Sequence, residues 1–288
     1  MESPATLIDL NRLPLKAIEP LSNGGVRLGA LARNSETANH RLVREKYPLL
    51  TQAILSGASP QLRNAATNGG NLLQRTRCFY FMDTGFPECN KREPGSGCGA
   101  VKGINRNFAI LGTSEQCIAT HPSDMCVALA ALDATVRVHG TGGERSIRFP
   151  DFHRLPGNTP EIDTNLKPGE LILSIDLPPS PFAKHSHYLK VRDRASYDFA
   201  LISVAAGLEM DGDVIRSAAI ALGGVAHKPW RAAEAEKYLA GQVVGQKAFV
   251  DAAERALAGT KTYGDNAFKV ELAKRSIVRA LTIARGEV

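Results

Sequence analysis

Cys78, Cys89, Cys98 and Cys117 crowd into one stretch rich in glycine, proline and charge. Four thiolates that close in sequence, on loops free to converge, are what an iron–sulfur cluster or a structural zinc requires. Ten, eight and eighteen residues separate successive members, and no CxxC pair occurs. Zinc knuckles favour ligands two to four residues apart, so the spacing leans away from zinc. The residues alone leave three readings open: an iron–sulfur cluster, zinc, or unligated or disulfide-paired thiols.

Local charge bears on that choice, because four thiolates around iron carry a net negative charge that wants an offset. From residue 75 to 106 the bases Arg75, Arg77, Lys91, Arg92, Lys102 and Arg106 face the acids Asp83, Glu88 and Glu93. Six against three is a positive shell, which suits a cluster and equally suits a solvated loop. Gly95, Gly97, Gly99 and Gly103 let the backbone turn N–H groups towards sulfur.

A chain of 288 residues, 43% hydrophobic, can build one large or two medium cores. No apolar run approaches the roughly 18 residues that span a bilayer. The opening MESPATLIDLNRLP has no charged leader ahead of an apolar core, so no signal peptide is read there. The expected compartment is therefore reducing and cytoplasmic, where thiols stay free for metal. The net charge of +6 is spread out, without a basic stripe interleaved with aromatics, so neither nucleic acid nor membrane is an expected partner.

Periodicity predicts strands at 6–10 and 26–30, then a helix capped by Asn34 or Ser35 that runs through Tyr47, Leu50 and Ile54 with a break at Pro48. Residues 108–112 are strand-like, and Ser123 caps a helix over 124–133. Segments 135–138 and 146–149 flank a GTGGE hairpin turn. A Pro/Gly-rich linker over 156–168 leads to a strand at 170–177. Apolar runs at 200–210 and 214–222 form a hairpin across Asp211-Gly212-Asp213, and helices follow at 232–240, 246–258 and 266–284. A domain boundary falls near residue 180.

In RNAATNGGNL, paired glycines in a small-residue turn would let backbone amides approach a diphosphate, with Thr67 and Asn71 adding side-chain hydrogen bonds. A plain tight turn is the competing reading, since the segment fits neither GxGxxG nor a Walker loop. Cys126 reads as a small buried residue on a helix face with Leu129 and Ala130. His121 has no second histidine at ligand spacing and reads as structural. No hydrolytic triad or carboxylate pair stands out.

In that order, RNAATNGGNL, ATHPSDMCVALAALDA, GELILSIDLP and KVRDRASYDFALISVAAGL resemble the FAD-binding subunit of the molybdenum hydroxylases, the xanthine dehydrogenase and aldehyde oxidoreductase family. Cysteines inserted after the GGN turn resemble the branch, among bacterial periplasmic aldehyde oxidoreductases, whose flavin subunit also holds a four-iron cluster. The likeness runs from Leu7 onward. It implies an α+β fold: an FAD-binding PCMH-type domain of two subdomains over 1–180, with a cluster loop at 75–118, and a C-terminal domain of antiparallel sheet and helices over 181–288. It implies FAD on Asn64, Thr67, Gly69, Gly70, Asn71 and Gln74, on Ser123 and Asp124 at a helix start, and on Ile172 against the isoalloxazine. It puts Lys190 near the flavin ring carbonyl, where a cation stabilises reduced flavin, and Arg194 nearby. Without the resemblance, Ser123 and Asp124 are helix caps, and Lys190 and Arg194 surface charges.

The resemblance further implies a [4Fe-4S] cluster on the four cysteines. It implies partners too, a molybdopterin-containing large subunit and a [2Fe-2S] small subunit, in a heterotrimer or its dimer. There, electrons from an aldehyde or heterocycle reach FAD through partner clusters and leave to an external acceptor. Such a complex can be periplasmic if a partner carries the export signal. Members of the family open with an AGGT-type loop that forms half of the diphosphate cradle, and MESPATLIDL does not supply it. The expectation is a chain shortened at its amino terminus; the alternative is a zinc- or iron–sulfur-stapled scaffold that has lost tight FAD binding.

Overall fold

The structure, a computed structural model, describes residues 4–286. Two antiparallel sheets organise it. The first has the order β1-β2-β5-β3-β4, from Ile18–Pro20 (β1), Val26–Gly29 (β2), Thr135–Gly140 (β3), Gly143–Arg148 (β4) and Leu171–Leu177 (β5). The second runs β6-β7-β8-β9, from Ser186–Val191, Ile202–Asp211, Val214–Gly223 and Trp230–Arg231. The fold is mixed α+β, with helices on the second sheet, as expected.

The long hairpin of β7 and β8 turns where Gly212 takes φ +59°, a left-handed conformation that glycine adopts without a Cβ clash. On this sheet lie the helices Ala233–Leu239, Gln246–Ala256 and Phe268–Arg285, whose alanines and leucines interlock with Ile202, Val204, Leu208 and Ile220 in one core. A second core joins the first sheet to the helix Asp124–Ala131, every residue of which is buried. That helix packs between β7, β8 and β9 of the second sheet and the helix Pro48–Ser56, so whatever its N-terminus presents is held from two sides.

Several expectations need correcting. Residues 6–10 form no strand: Leu7 and Ile8 are 86% and 80% exposed, and the first strand is β1, which pairs with β2 through a turn at Leu21–Gly25. Residues 108–112 are buried but not a strand, because Ile110 and Leu111 both donate to the Val225 carbonyl and form no ladder. The single helix expected after Asn34 is three, Asn34–Asn39, Arg41–Lys46 and Pro48–Ser56, and Arg33 is the first cap, its N–H donating to Glu36 at 2.9 Å. Sequence reading passed over β6 altogether.

No helix among the described residues is long and apolar enough to cross a membrane.

Candidate functional site

A cleft of about 420 Å³ opens between the helix Pro48–Ser56, the start of the helix Asp124–Ala131, β6 and the loop at 197–199. At its floor the Lys190 ammonium donates to Asp124 Oδ2 at 2.8 Å and to the Ser56 carbonyl at 3.2 Å. Both side chains are buried, with 4% and 8% exposure. The other Asp124 oxygen accepts from Tyr188 at 2.8 Å, and burial together with that carboxylate keeps the Tyr188 phenol protonated far above its ordinary range. β6 carries both Tyr188 and Lys190, two residues apart and therefore on one face.

Ser123 caps the helix, accepting from the Cys126 N–H at 3.1 Å while its hydroxyl donates to Asn71 at 2.5 Å. Asn71 in turn donates to Asn34 at 2.7 Å, and Asn34 to Asn68 at 3.1 Å. This ladder of short polar side chains locks the GGN turn to the helix start. Gln74 donates to Asn71 at 3.0 Å.

Five of the predicted residues, Asn71, Gln74, Ser123, Asp124 and Lys190, line the cleft together. Asn64, Thr67, Gly69 and Gly70 do not. The turn offers no free amides either: Asn68 donates to Ala32 O, Gly69 to Ala30 O, Gly70 to the Thr67 hydroxyl and Asn71 to Thr67 O. Gly69 is instead needed for packing, since a Cβ there would lie 3.2 Å from Ala30. Ile172 is buried in the main core on β5, and Arg194 lies exposed with its guanidinium on the Tyr197 carbonyl; neither is among the lining. Lining residues that sequence reading missed include Asn34, Arg63, Arg77, Tyr197 and Phe199. Arg63, Arg77 and Lys190 outnumber Asp124 and Asp198 there, which suits an anionic ligand.

The four cysteines do converge. Cys78, Cys89, Cys98 and Cys117 line one small cavity with Tyr80, Asn90, Lys91 and Gln116. Cys78 and Cys98 each begin a single helical turn, Phe79–Met82 and Gly99–Lys102, and Cys89 bridges Cys98 across an antiparallel pair. Burial pushes the Cys78 and Cys117 thiols up to about 12 and about 11. Amides of Tyr80 and Phe81 point at the first sulfur, those of Ala100, Val101 and Ile118 at Cys98, and that of Ala119 at Cys117.

The glycines expected to do this are otherwise engaged: Gly95 and Gly97 donate to Asn90 Oδ1, Gly99 to the Glu88 carbonyl and Gly103 to the Gly99 carbonyl. The positive shell is likewise committed in large part. Arg75 and Lys91 pair with Asp163 at 2.7 and 2.5 Å, Arg106 pairs with Asp193, and Arg92 binds the carbonyls of Tyr80, Phe81 and Phe86.

His121 is not isolated: the His153 ring reaches it, with centroids 4.4 Å apart, and Cys126 joins them. Thirty-two positions separate the histidines, so no local spacing announces the pair.

Residues 1–180 match the family of the FAD binding domain in molybdopterin dehydrogenase, and residues 187–284 match the CO dehydrogenase flavoprotein C-terminal domain. The chain is 52% identical over 290 residues to the aldehyde oxidoreductase FAD-binding subunit PaoB of Escherichia coli (strain K12), spanning 100% of this chain and 87% of that protein. It is 29% identical to the glyceraldehyde dehydrogenase medium chain of Sulfolobus acidocaldarius, over 98% of this chain and 82% of the relative. Among solved structures, carbon monoxide dehydrogenase from Hydrogenophaga pseudoflava superposes with a TM-score of 0.72 at 24% identity, covering 96% of this chain and 80% of that one. The latter likeness concerns the fold.

Proposed function

Since the chain belongs to the FAD-binding medium subunits of the molybdenum hydroxylases, we propose that it is the flavin-carrying, electron-transferring subunit of a molybdenum-dependent aldehyde oxidoreductase and holds a [4Fe-4S] cluster on Cys78, Cys89, Cys98 and Cys117. When bound, FAD supplies the chemistry that collects electrons from a partner's two-iron clusters and hands them to an external acceptor. The observation that carries the reading is the buried Lys190–Asp124 pair on the floor of a cleft lined by further cations.

Lys190 presents positive charge where a reduced flavin ring would be anionic, and Asp124 holds it in position. Asn71, Gln74 and Ser123 offer side-chain polar atoms to the cofactor, while Asn64, Thr67, Gly69 and Gly70 shape the turn behind them. On this reading residues 1–180 form the flavin-binding unit and 181–288 the C-terminal unit. The partners are a molybdopterin-containing large subunit and a [2Fe-2S] small subunit, and the compartment follows from whether a partner carries an export signal.

The choice of cluster over zinc rests on spacing and donors. A tetrahedral zinc with bonds of about 2.3 Å needs its sulfurs roughly 3.8 Å apart. Among the described residues, the one metal-capable group gathered within 4.8 Å is His121, Cys126 and His153, so no three of these four sulfurs are that close. Amides aimed at three of the sulfurs are the usual environment of an iron–sulfur thiolate.

Anaerobic purification of the complex tests the proposal. Expected are one FAD per subunit, four iron and four sulfide beyond those of the partner's two-iron clusters, and a reduced-cluster electron paramagnetic resonance signal, distinct from the partner's, that is lost in Cys98→Ala. Zinc in place of iron sinks the cluster assignment, and a colourless, flavin-free chain that still binds its partners makes the subunit a scaffold.

A further inference from the structure

Behind the flavin cleft, at the first turn of the helix Asp124–Ala131, lies a buried constellation that the proposed function does not use. A ring nitrogen of His121, Sγ of Cys126 and a ring nitrogen of His153 sit within 4.8 Å of one another. Cys126 is fully buried and His153 nearly so. His121 Nε2 and His153 Nδ1 are buried and have no hydrogen-bond partner. Unmet polar atoms of that kind are rare in folded interiors and ask for an occupant.

The surroundings prepare these nitrogens for a cation. His153 Nε2 lies 2.8 Å from the Leu72 carbonyl and so carries the ring proton, which leaves Nδ1 with an open lone pair. A histidine that donates its far N–H to a backbone carbonyl is the usual supporting arrangement for a metal ligand. His121 Nδ1 accepts from the Ser123 N–H at 3.3 Å, so Nε2 carries the ring proton; when Nε2 takes the ion that proton passes to Nδ1 and the long contact is given up. His121 also lines a narrow cavity beside the flavin cleft, together with Arg77, Thr120 and Phe199, which gives an entry path.

We propose that His121, Cys126 and His153 form a site for one soft monovalent cation, Cu(I). Two imidazoles and a thiolate are soft, low-coordinate donors of the kind that favour it. Charge decides between Cu(I) and zinc. A thiolate with Cu(I) is neutral overall, whereas a divalent ion leaves an uncompensated positive charge in an interior where that is expensive. The neighbourhood has no spare negative charge: Lys91 and Lys228 act on these rings, Asp163 is held by Lys91 and Arg75, and Asp124, which acts on Cys126, is held by Lys190. On binding, the Cys126 S–H bond breaks, its electron pair goes to copper, and the proton leaves to solvent; nothing is oxidised.

The test is anaerobic titration of the full chain with Cu(I) against bathocuproine disulfonate, with the four-cysteine cavity in the same state throughout. Wild type is compared with Cys126→Ala and His153→Gln. Both variants are expected to bind one equivalent fewer than wild type, with unchanged far-ultraviolet circular dichroism. The copper-edge spectrum of that equivalent is expected to report nitrogen and sulfur neighbours. Equal uptake in all three proteins overturns the proposal, as does Zn(II) displacing Cu(I) from that equivalent. Should His153→Gln fail to fold, Cys126→Ala decides alone, since it only trims a buried side chain.

Discussion

Replacing Lys190 by methionine removes one half of a buried ion pair and leaves the Asp124 carboxylate with Tyr188 as its remaining side-chain donor. Breaking such a pair costs about 3–5 kcal/mol, because the survivor stays buried without its counter-charge. Ser56 O keeps Arg192 as a donor at 3.1 Å, so no orphaned carbonyl adds to the loss. We therefore expect Lys190→Met to destabilise by about 3 kcal/mol, and Asp124→Asn by a similar amount through the stranded ammonium. In the double variant both charges are gone, and the introduced amide oxygen can still accept from Tyr188. Its loss should be about 1–3 kcal/mol, well below the sum, which gives a coupling of about 3–5 kcal/mol. Urea unfolding of the cofactor-free chain, followed by the fluorescence of its single tryptophan, Trp230, and by circular dichroism, measures all three. Strictly additive losses, or a Lys190→Met loss under about 1 kcal/mol, would refute the claim that the pair is desolvated and coupled.

The same substitutions should move the flavin potential in opposite directions. Lys190→Met lowers it and Asp124→Asn raises it, each by some tens of millivolts, where about 30 mV corresponds to 1.4 kcal/mol for two electrons; spectroelectrochemistry of the FAD-loaded subunit reads the sign. A third expectation concerns Lys269, buried with its ammonium on the carbonyls of Asn107, Phe108 and Gly224 at 3.3, 2.9 and 2.5 Å. Lys269→Met strands these acceptors and should cost about 3 kcal/mol, with faster amide exchange over 105–112. Finally, burial and then neighbouring Lys91 hold the His227 imidazole down to about 4, from an ordinary 6.5. Its folded value lies below the unfolded one, so its stabilisation is complete above 6.5 and fades as pH falls towards 4, by about 2 kcal/mol at about pH 5. His227→Gln should flatten the dependence of the urea midpoint over that window; an unchanged slope refutes the assignment.

Much of the second half was legible in the sequence because its signals are local. Asp211-Gly212-Asp213 marks a hairpin whose arms are ten residues each, and the last three helices follow their apolar period. Short elements were harder. β1 is three residues long and its pairing is fixed by the turn after it, while the apolar Leu7 and Ile8 that suggested a strand point to solvent. β6 mixes polar and apolar residues because it is half-buried and faces the cleft, so no clear alternation betrays it. At the site, Ser123, Asp124 and Lys190 were legible from motif likeness, whereas Tyr188, Arg63 and Arg77 were not, since only tertiary packing turns them to one cleft. The GGN turn suggested free amides, but the loop's own closure uses them.

Lys91 Nζ, two residues from Cys89, grips Asp163 at 2.5 Å, the Pro160 carbonyl at 2.7 Å and His227 at 2.9 Å. The excursion that bears the cysteines is thus riveted both to the proline-rich connector and to the far half of the molecule. Such a module cannot be transplanted by its thiols alone: a chimera that grafts residues 75–118 onto a shorter cousin must import the aspartate and the histidine with it, or the cargo loop will hang without its keystone.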